Sequence, residues 1–298
     1  MFKRARRIAV ATAMAAGLVS APHALAEEGQ GNLVAIGDSI TADPWVGDWA
    51  PYWVGQETEA TKASPVGCPT SPNNYAKQAG QRLGLPVDDY SCTGLTVSSE
   101  RNKLFKDHAA KAIEDGALNA STERVIITVG FNDSYSEKFG DGGQRIQHYI
   151  DEAAPVVEQN KAAAPNARIQ MVGYPTISKD GNVCPLHVVD DKLVPAPPIH
   201  LPMVTDFENI AQDMQRGLAE RTGTEFIDMK PSTEFNGMCG PDESREFAGV
   251  IDTTGPAFNS RSTRTPAATP TSLTSSPTAK PVPRGPRARA ASLRVNTE

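Results

Sequence analysis

The chain has 298 residues, 39% of them hydrophobic, with 29 lysines and arginines against 35 aspartates and glutamates, a net charge of −6. That charge is unevenly divided: +4 in residues 1–26, −16 in residues 27–259 and +6 in residues 260–298. So acidic a body excludes nucleic acid and anionic membrane as main partners, and it is long enough for one domain with a substantial core.

At the N-terminus Lys3, Arg4, Arg6 and Arg7 precede an apolar run from Ile8 to Ala21 and an Ala24-Leu25-Ala26 processing site. Residues 1–26 therefore read as a cleaved general secretory signal, and a secreted, extracellular protein is expected. The residues around Arg6-Arg7 fit a twin-arginine signal poorly. No other apolar run approaches membrane-spanning length, so no stable span is expected. Cys68, Cys92, Cys184 and Cys239 suit an oxidising compartment and allow two disulfides in three connectivities. Sequence order favours Cys68 with Cys92 and Cys184 with Cys239. No Cys-x-x-Cys pair points to structural zinc.

Along the body, short apolar runs alternate with helical patterns. Strands are expected at Leu33–Ile36, before Asp89-Tyr90, at Arg124–Val129, at Ile169–Val172 and at Phe226–Ile227; helices at about Tyr75–Leu83, Ser98–Leu118, Gln144–Ala163 and Val204–Arg221. Buried strands alternating with helices predict an α/β protein, a doubly wound parallel sheet with helices on both faces over residues 27–259. In such a sheet ligands sit beyond the carboxyl ends of the strands.

Three strand ends carry chemistry. The first strand runs into Gly37-Asp38-Ser39-Ile40-Thr41, where Ser39 at a strand-to-helix junction can be a nucleophile, or Ser39 or Asp38 can simply cap the helix. The chain leaves the second strand through Asp89-Tyr90-Ser91-Cys92-Thr93-Gly94, where Gly94 can present a backbone N–H or merely make a turn. The strand at Arg124–Val129 ends in Gly130-Phe131-Asn132-Asp133-Ser134: Asn132 can offer its amide to a developing oxyanion, Gly130 allows close backbone approach to a substrate, and the plain alternative is an Asn-Asp turn. Just after Ser39, Trp45, Trp49, Tyr52 and Trp53 either line an acyl or sugar pocket or pack a long disulfide-stabilised loop.

These three pieces, in order at successive strand ends, resemble the SGNH (GDSL) hydrolase family over most of residues 32–259. Secreted actinobacterial esterases and lipases are similar in the export signal, the cysteines, and "VGFNDSY" and "VGYPTI" at strand ends. The resemblance implies a flavodoxin-like sheet order, with Ser39 as nucleophile and the N–H groups of Ser39 and Gly94 and the side chain of Asn132 as oxyanion hole. It further implies a monomer without metal or organic cofactor, acting on carboxylic esters of lipid, short-chain acyl or acetylated-sugar type.

One part of the family pattern is missing. The expected C-terminal histidine, in Asp-x-x-His followed by proline, has no counterpart among His108, His148, His187 and His200. His108 and His148 fall in expected helices as surface residues; His187 and His200 lie in a proline-rich connection. The family position falls just after Ala248–Thr254, where the chain instead enters residues 260–298, rich in Ser, Thr, Pro, Ala and Arg, which read as a disordered tail. A reading-frame shift accounts for this tail better than a natural low-complexity segment. If Asn259–Ser272 is encoded by one particular set of GC-rich codons, which the amino-acid sequence permits but does not force, one extra C after the Asn259 codon converts the following sequence to Leu-Ala-Leu-His-Pro and restores a histidine of the family type. The alternative, from a different functional class, is a non-catalytic envelope or carbohydrate-binding protein on the same scaffold.

Overall fold

A computed structural model describes residues 31–98, 103–187, 197–241, 244–247, 249 and 251–252. The expected signal (1–26) and tail (260–298), and residues 253–259, lie outside them. Strand β1 (Leu33–Gly37) is buried along its whole length. Its side chains alternate between two clusters: Val34 and Ile36 on one face, Leu33 and Ala35 on the other. A strand covered on both faces has no polar side to show, which is why the run is continuously apolar.

With β2 (Val87–Asp89), β3 (Arg124–Thr128), β4 (Arg168–Val172) and β5 (Glu225–Ile227) it forms a five-stranded sheet in the order β2-β1-β3-β4-β5. Every neighbouring pair is parallel. Helices α1 (Ser39–Ala42), α2 (Val46–Trp53), α3 (Glu59–Ala63) and α4 (Tyr75–Leu83) fill the first crossover. After β2 come α5 (Phe105–Glu114), α6 (Phe131–Ser134), α7 (Gly142–Ala163), α8 (Pro202–Thr222) and α9 (Lys230–Thr233). Phe105 and Ala109 of α5, Tyr149 and Val157 of α7, and Met214 and Leu218 of α8 cover one face. Tyr75, Ala76 and Ala79 of α4 cover the other. This is the doubly wound α/β arrangement the alternation predicted.

Two differences from expectation have local causes. The helix expected over Ser98–Leu118 runs only from Phe105 to Glu114, because Thr96 and Leu104 form a parallel bridge instead, the Thr96 N–H donating to the Lys103 carbonyl and the Phe105 N–H to the Thr96 carbonyl. The aromatic stretch, for which no helix was expected, contains α2, with Pro51 inside it; proline and clustered aromatics hide a helix from a propensity reading.

Beyond the strand ends, Asn182–Val183 pairs antiparallel with Ile199–His200, and Leu186–His187 pairs parallel with Ile251–Asp252. Cys68 is bonded to Cys92 and Cys184 to Cys239, with Cα atoms 5.3 and 5.1 Å apart.

Candidate active site

The turn out of β1 is tight for a steric reason. A Cβ on Gly37 would sit 2.1 Å from Thr41 Oγ1 and 3.0 Å from the Thr128 carbonyl oxygen, so only glycine lets α1 fold back this closely. Asp38 is the N-cap of α1, its Oδ1 accepting the Ile40 N–H at 3.0 Å, and its own N–H is donated to the Thr128 carbonyl at 2.9 Å. The capping role therefore belongs to Asp38. Ser39, half-buried, is the first residue of the helix.

Beneath it runs a buried chain of hydroxyls. Thr128 donates to the Val172 carbonyl at 3.0 Å, which leaves its oxygen to accept from Tyr75 at 2.6 Å, and Tyr75 in turn accepts from Thr41 at 3.1 Å. Burial pushes the Tyr75 phenol up to about 12, so it stays protonated and the donor order is fixed. The chain ties α1 to β3 and β4.

The other two strand ends meet this one. The Cys92 N–H donates to the Gly37 carbonyl at 2.8 Å, bringing the exit of β2 alongside the end of β1. Gly94 follows at φ +83°, a left-handed conformation that favours glycine. Across from it, Asn132 in α6 donates one amide N–H to the Leu95 carbonyl at 3.0 Å and accepts from Tyr135 Oη at 3.1 Å. Those bonds fix the amide's orientation, and the second N–H is the one that can serve an oxyanion. Asp133, 2% exposed, accepts the Val97 N–H at 3.1 Å, the Ser98 N–H at 3.0 Å and the Ser98 hydroxyl at 3.3 Å, clamping the loop after Gly94 to the end of β3. The ends carrying Ser39, Gly94 and Asn132 are thus hydrogen-bonded side by side. Gly130 differs from expectation: at φ +135° its missing Cβ faces the Tyr149 ring at 3.3 Å, so packing inside the protein occupies that space.

A second buried link was not foreseen. The Tyr174 hydroxyl donates to Asp38 Oδ2 at 2.5 Å and accepts the Phe131 N–H at 2.9 Å. Asp38 is 1% exposed, and burial, with Asp133 nearby, pushes its carboxyl up to about 7 in spite of the bonds from Tyr174 and Ile40. Tyr174 lies in the Gly173-Tyr174-Pro175 segment just after β4. The sequence marked this strand end through "VGYPTI", one of the stretches carrying the resemblance, but nothing local gave the tyrosine a partner.

Of the histidines, His108 is 8% exposed rather than on the surface. Its Nδ1 lies 2.8 Å from the Tyr90 carbonyl, and burial lowers its affinity for a proton. His148 stacks on Phe139 with ring centroids 4.0 Å apart, and His200 is exposed, 3.4 Å from Asn182 Oδ1. His187 belongs to the short Leu186–His187 strand. Tyr52 packs on the disulfide, its hydroxyl 3.3 Å from Cys68 Sγ, beneath the Lys103 ammonium. Trp49 and Trp53 pack together at 5.4 Å, while Trp45 and Trp53 remain 42% and 69% exposed. A cavity of about 590 Å³ lies along edge strand β2, lined by Asp48, Lys77 and Asp88 among others and by none of Ser39, Gly94 and Asn132. Among the described residues no helix is long and apolar enough to cross a membrane, and no cluster of His, Cys, Asp and Glu could hold a metal.

A doubly wound sheet that gathers a serine, a glycine amide and an asparagine amide at adjacent strand ends has the layout of a serine hydrolase. The chain belongs to the GDSL-like lipase/acylhydrolase family, whose profile matches residues 35–254, and it is a carboxylic ester hydrolase of the SGNH type. Among solved structures, the extracellular lipase of Streptomyces rimosus shares the fold at 16% identity and a TM-score of 0.50, covering 79% of this chain and 95% of that one. The phospholipase A1 of Streptomyces albidoflavus NA297 is similar at 18% identity and TM-score 0.46, covering 78% and 92%. The M. smegmatis aryl esterase is similar at 15% and 0.45, covering 78% and 94%. No curated protein matches the chain.

Proposed function

We propose that the protein is a secreted serine esterase in which Ser39 attacks the ester carbonyl and the N–H groups of Ser39 and Gly94 and the amide of Asn132 receive the oxyanion. Ser39 Oγ bonds to the carbonyl carbon as its proton passes to a general base. The tetrahedral intermediate collapses, the alcohol leaves with that proton, and water then releases the acid from the acyl-serine and restores Ser39. The observation that carries the proposal is the Asn132 amide, oriented by the Leu95 carbonyl next to Gly94 on a strand end bonded beside that of Ser39. The signal-like residues 1–26 and the two disulfides support export.

The base in this proposal is the histidine that one added C after the Asn259 codon would restore. Substrates are carboxylic esters of lipid, short-chain acyl or acetylated-sugar type, hydrolysed by a monomer. The histidines present support a second reading, a binding protein without turnover, since the buried His108 and the exposed, Asn182-paired His200 lack the family's setting. Hydrolysis of a small chromogenic ester by the frame-restored chain and its Ser39→Ala variant separates the two. Loss of about 10³-fold or more in kcat supports the esterase, by analogy with triad knockouts. Equal activity with and without Ser39 rejects it, and ester binding without turnover in both favours the binding protein.

A further inference from the structure

Three loops must keep one geometry if Ser39 and Asn132 are to act on the same carbonyl. They come from β1, β3 and β4, and their contacts converge on one phenol. Tyr174 Oη donates to Asp38 Oδ2 at 2.5 Å, Asp38 Oδ1 accepts the Ile40 N–H at 3.0 Å, and Tyr174 Oη accepts the Phe131 N–H at 2.9 Å. Ile40 immediately follows Ser39, and Phe131 immediately precedes Asn132. Asp38 and Tyr174 are almost wholly buried, and the Phe131 and Tyr174 rings also pack against each other with centroids 5.7 Å apart.

We propose that Tyr174 is a positioning residue that couples the nucleophile's helix to the oxyanion loop, fixing the separation of Ser39 and the Asn132 amide through the Asp38 carboxyl and the Phe131 N–H. The catalytic consequence rests on the esterase reading above; the coupling itself does not. A phenol serves here because its single oxygen donates to one loop and accepts from another while the ring fills the space between. Charge-assisted hydrogen bonds are the stronger kind, so the link is firmest when Asp38 is ionised. The titratable groups that face Asp38 are Asp133 on α6, Tyr75 on α4, Tyr149 on α7 and Tyr174 itself.

The test uses the full chain and Tyr174→Phe, which keeps the ring and removes one oxygen. Backbone amide shifts are followed against pH by NMR. In the unmodified protein the Ile40 and Phe131 amides should move with one shared midpoint near that of Asp38, about 7. In Tyr174→Phe the Ile40 step should persist and the Phe131 step should vanish. Asp38→Asn should abolish both, which separates the effect from titration of the neighbouring Asp133. A Phe131 step that survives in either variant, or never occurs, overturns the coupling. For ester turnover, measured in the frame-restored chain that carries the proposed base, Tyr174→Phe should lower kcat by roughly 10- to 100-fold, the scale of one charge-assisted bond, with KM within about twofold. An unchanged kcat in an active protein overturns the positioning role. Should Ser39→Ala leave turnover intact, the esterase reading fails while the amide shifts still decide the coupling.

Discussion

The two rims of the sheet's carboxyl edge are built by different means. On the side of β1, β2 and β3, buried side chains reach from one strand end to the next: Thr41 to Tyr75 to Thr128, Asp38 to Tyr174, Asp133 to Val97 and Ser98. On the side of β4 and β5 the strand pairings among the described residues are only two residues long, and the Cys184–Cys239 bridge adds a covalent tie to the side-chain bonds there. Glu208, 1% exposed, gathers the Ile177 and Ser178 N–H groups at 2.8 and 2.9 Å along with Lys230, while Ile199, Leu201, Met203 and Phe235 remain exposed. Directional bonds set positions closely, which an oxyanion hole needs before the charge develops. A covalent tether limits how far a segment moves and leaves its shape freer. On the proposed mechanism, the first rim holds the chemistry.

The largest expected effect falls on the second rim. Removing the Cys184–Cys239 bridge, which spans 55 residues, should cost about 4 kcal/mol by chain entropy, against about 3 kcal/mol for the 24-residue span of Cys68–Cys92. Urea unfolding of the two double-serine variants compares them, and a reversed order would mean that the second rim is held by its side chains after all.

The next effect is on pH dependence at the first rim. Asp38 ionises near 3.8 when unfolded and near 7 when folded, so between those values the folded state holds a proton that the unfolded state has lost. Stability contributed at this site is therefore present at low pH, falls as pH rises from about 4 to about 7, and is level above, by up to about 4 kcal/mol. Unfolding free energies measured across that window should show the fall in the unmodified protein relative to Asp38→Asn; parallel curves would contradict the burial argument.

Asp133→Ala comes next. Leaving the Val97 and Ser98 N–H groups without their acceptor should cost about 3 kcal/mol. Ester turnover of the frame-restored chain should drop by more than the unfolded fraction explains, because the loop bearing Gly94 is released. The smallest effect is Trp53→Ala, within about 0.5 kcal/mol, since that ring is 69% exposed; a larger change in thermal unfolding would show that α2 depends on its stack with Trp49.

What the sequence disclosed divides along the same line. Helix α4 was legible to the residue because Asn74 caps its start, accepting the Lys77 N–H, and Gly84 ends it in the left-handed region. Ser39 and Asn132 stood out because each follows an apolar run in a chain of alternating elements, and Gly94 because the family resemblance gives it an oxyanion-hole N–H. The links that hold them were not legible. Tyr174 and Asp38 are 136 positions apart and no local pattern joins them, and the carboxylate that holds Val97 and Ser98 comes from Asp133, beyond the next strand. His108 was misplaced because a single histidine on an amphipathic helix carries no mark of which way it faces.

The most direct test of the central claim is peptide mass spectrometry of the frame-restored chain after reaction with a fluorophosphonate ester. The account predicts one phosphonyl adduct, on the peptide containing Ser39, absent from Ser39→Ala. An adduct on another residue, or equal labelling of Ser39→Ala, would contradict it.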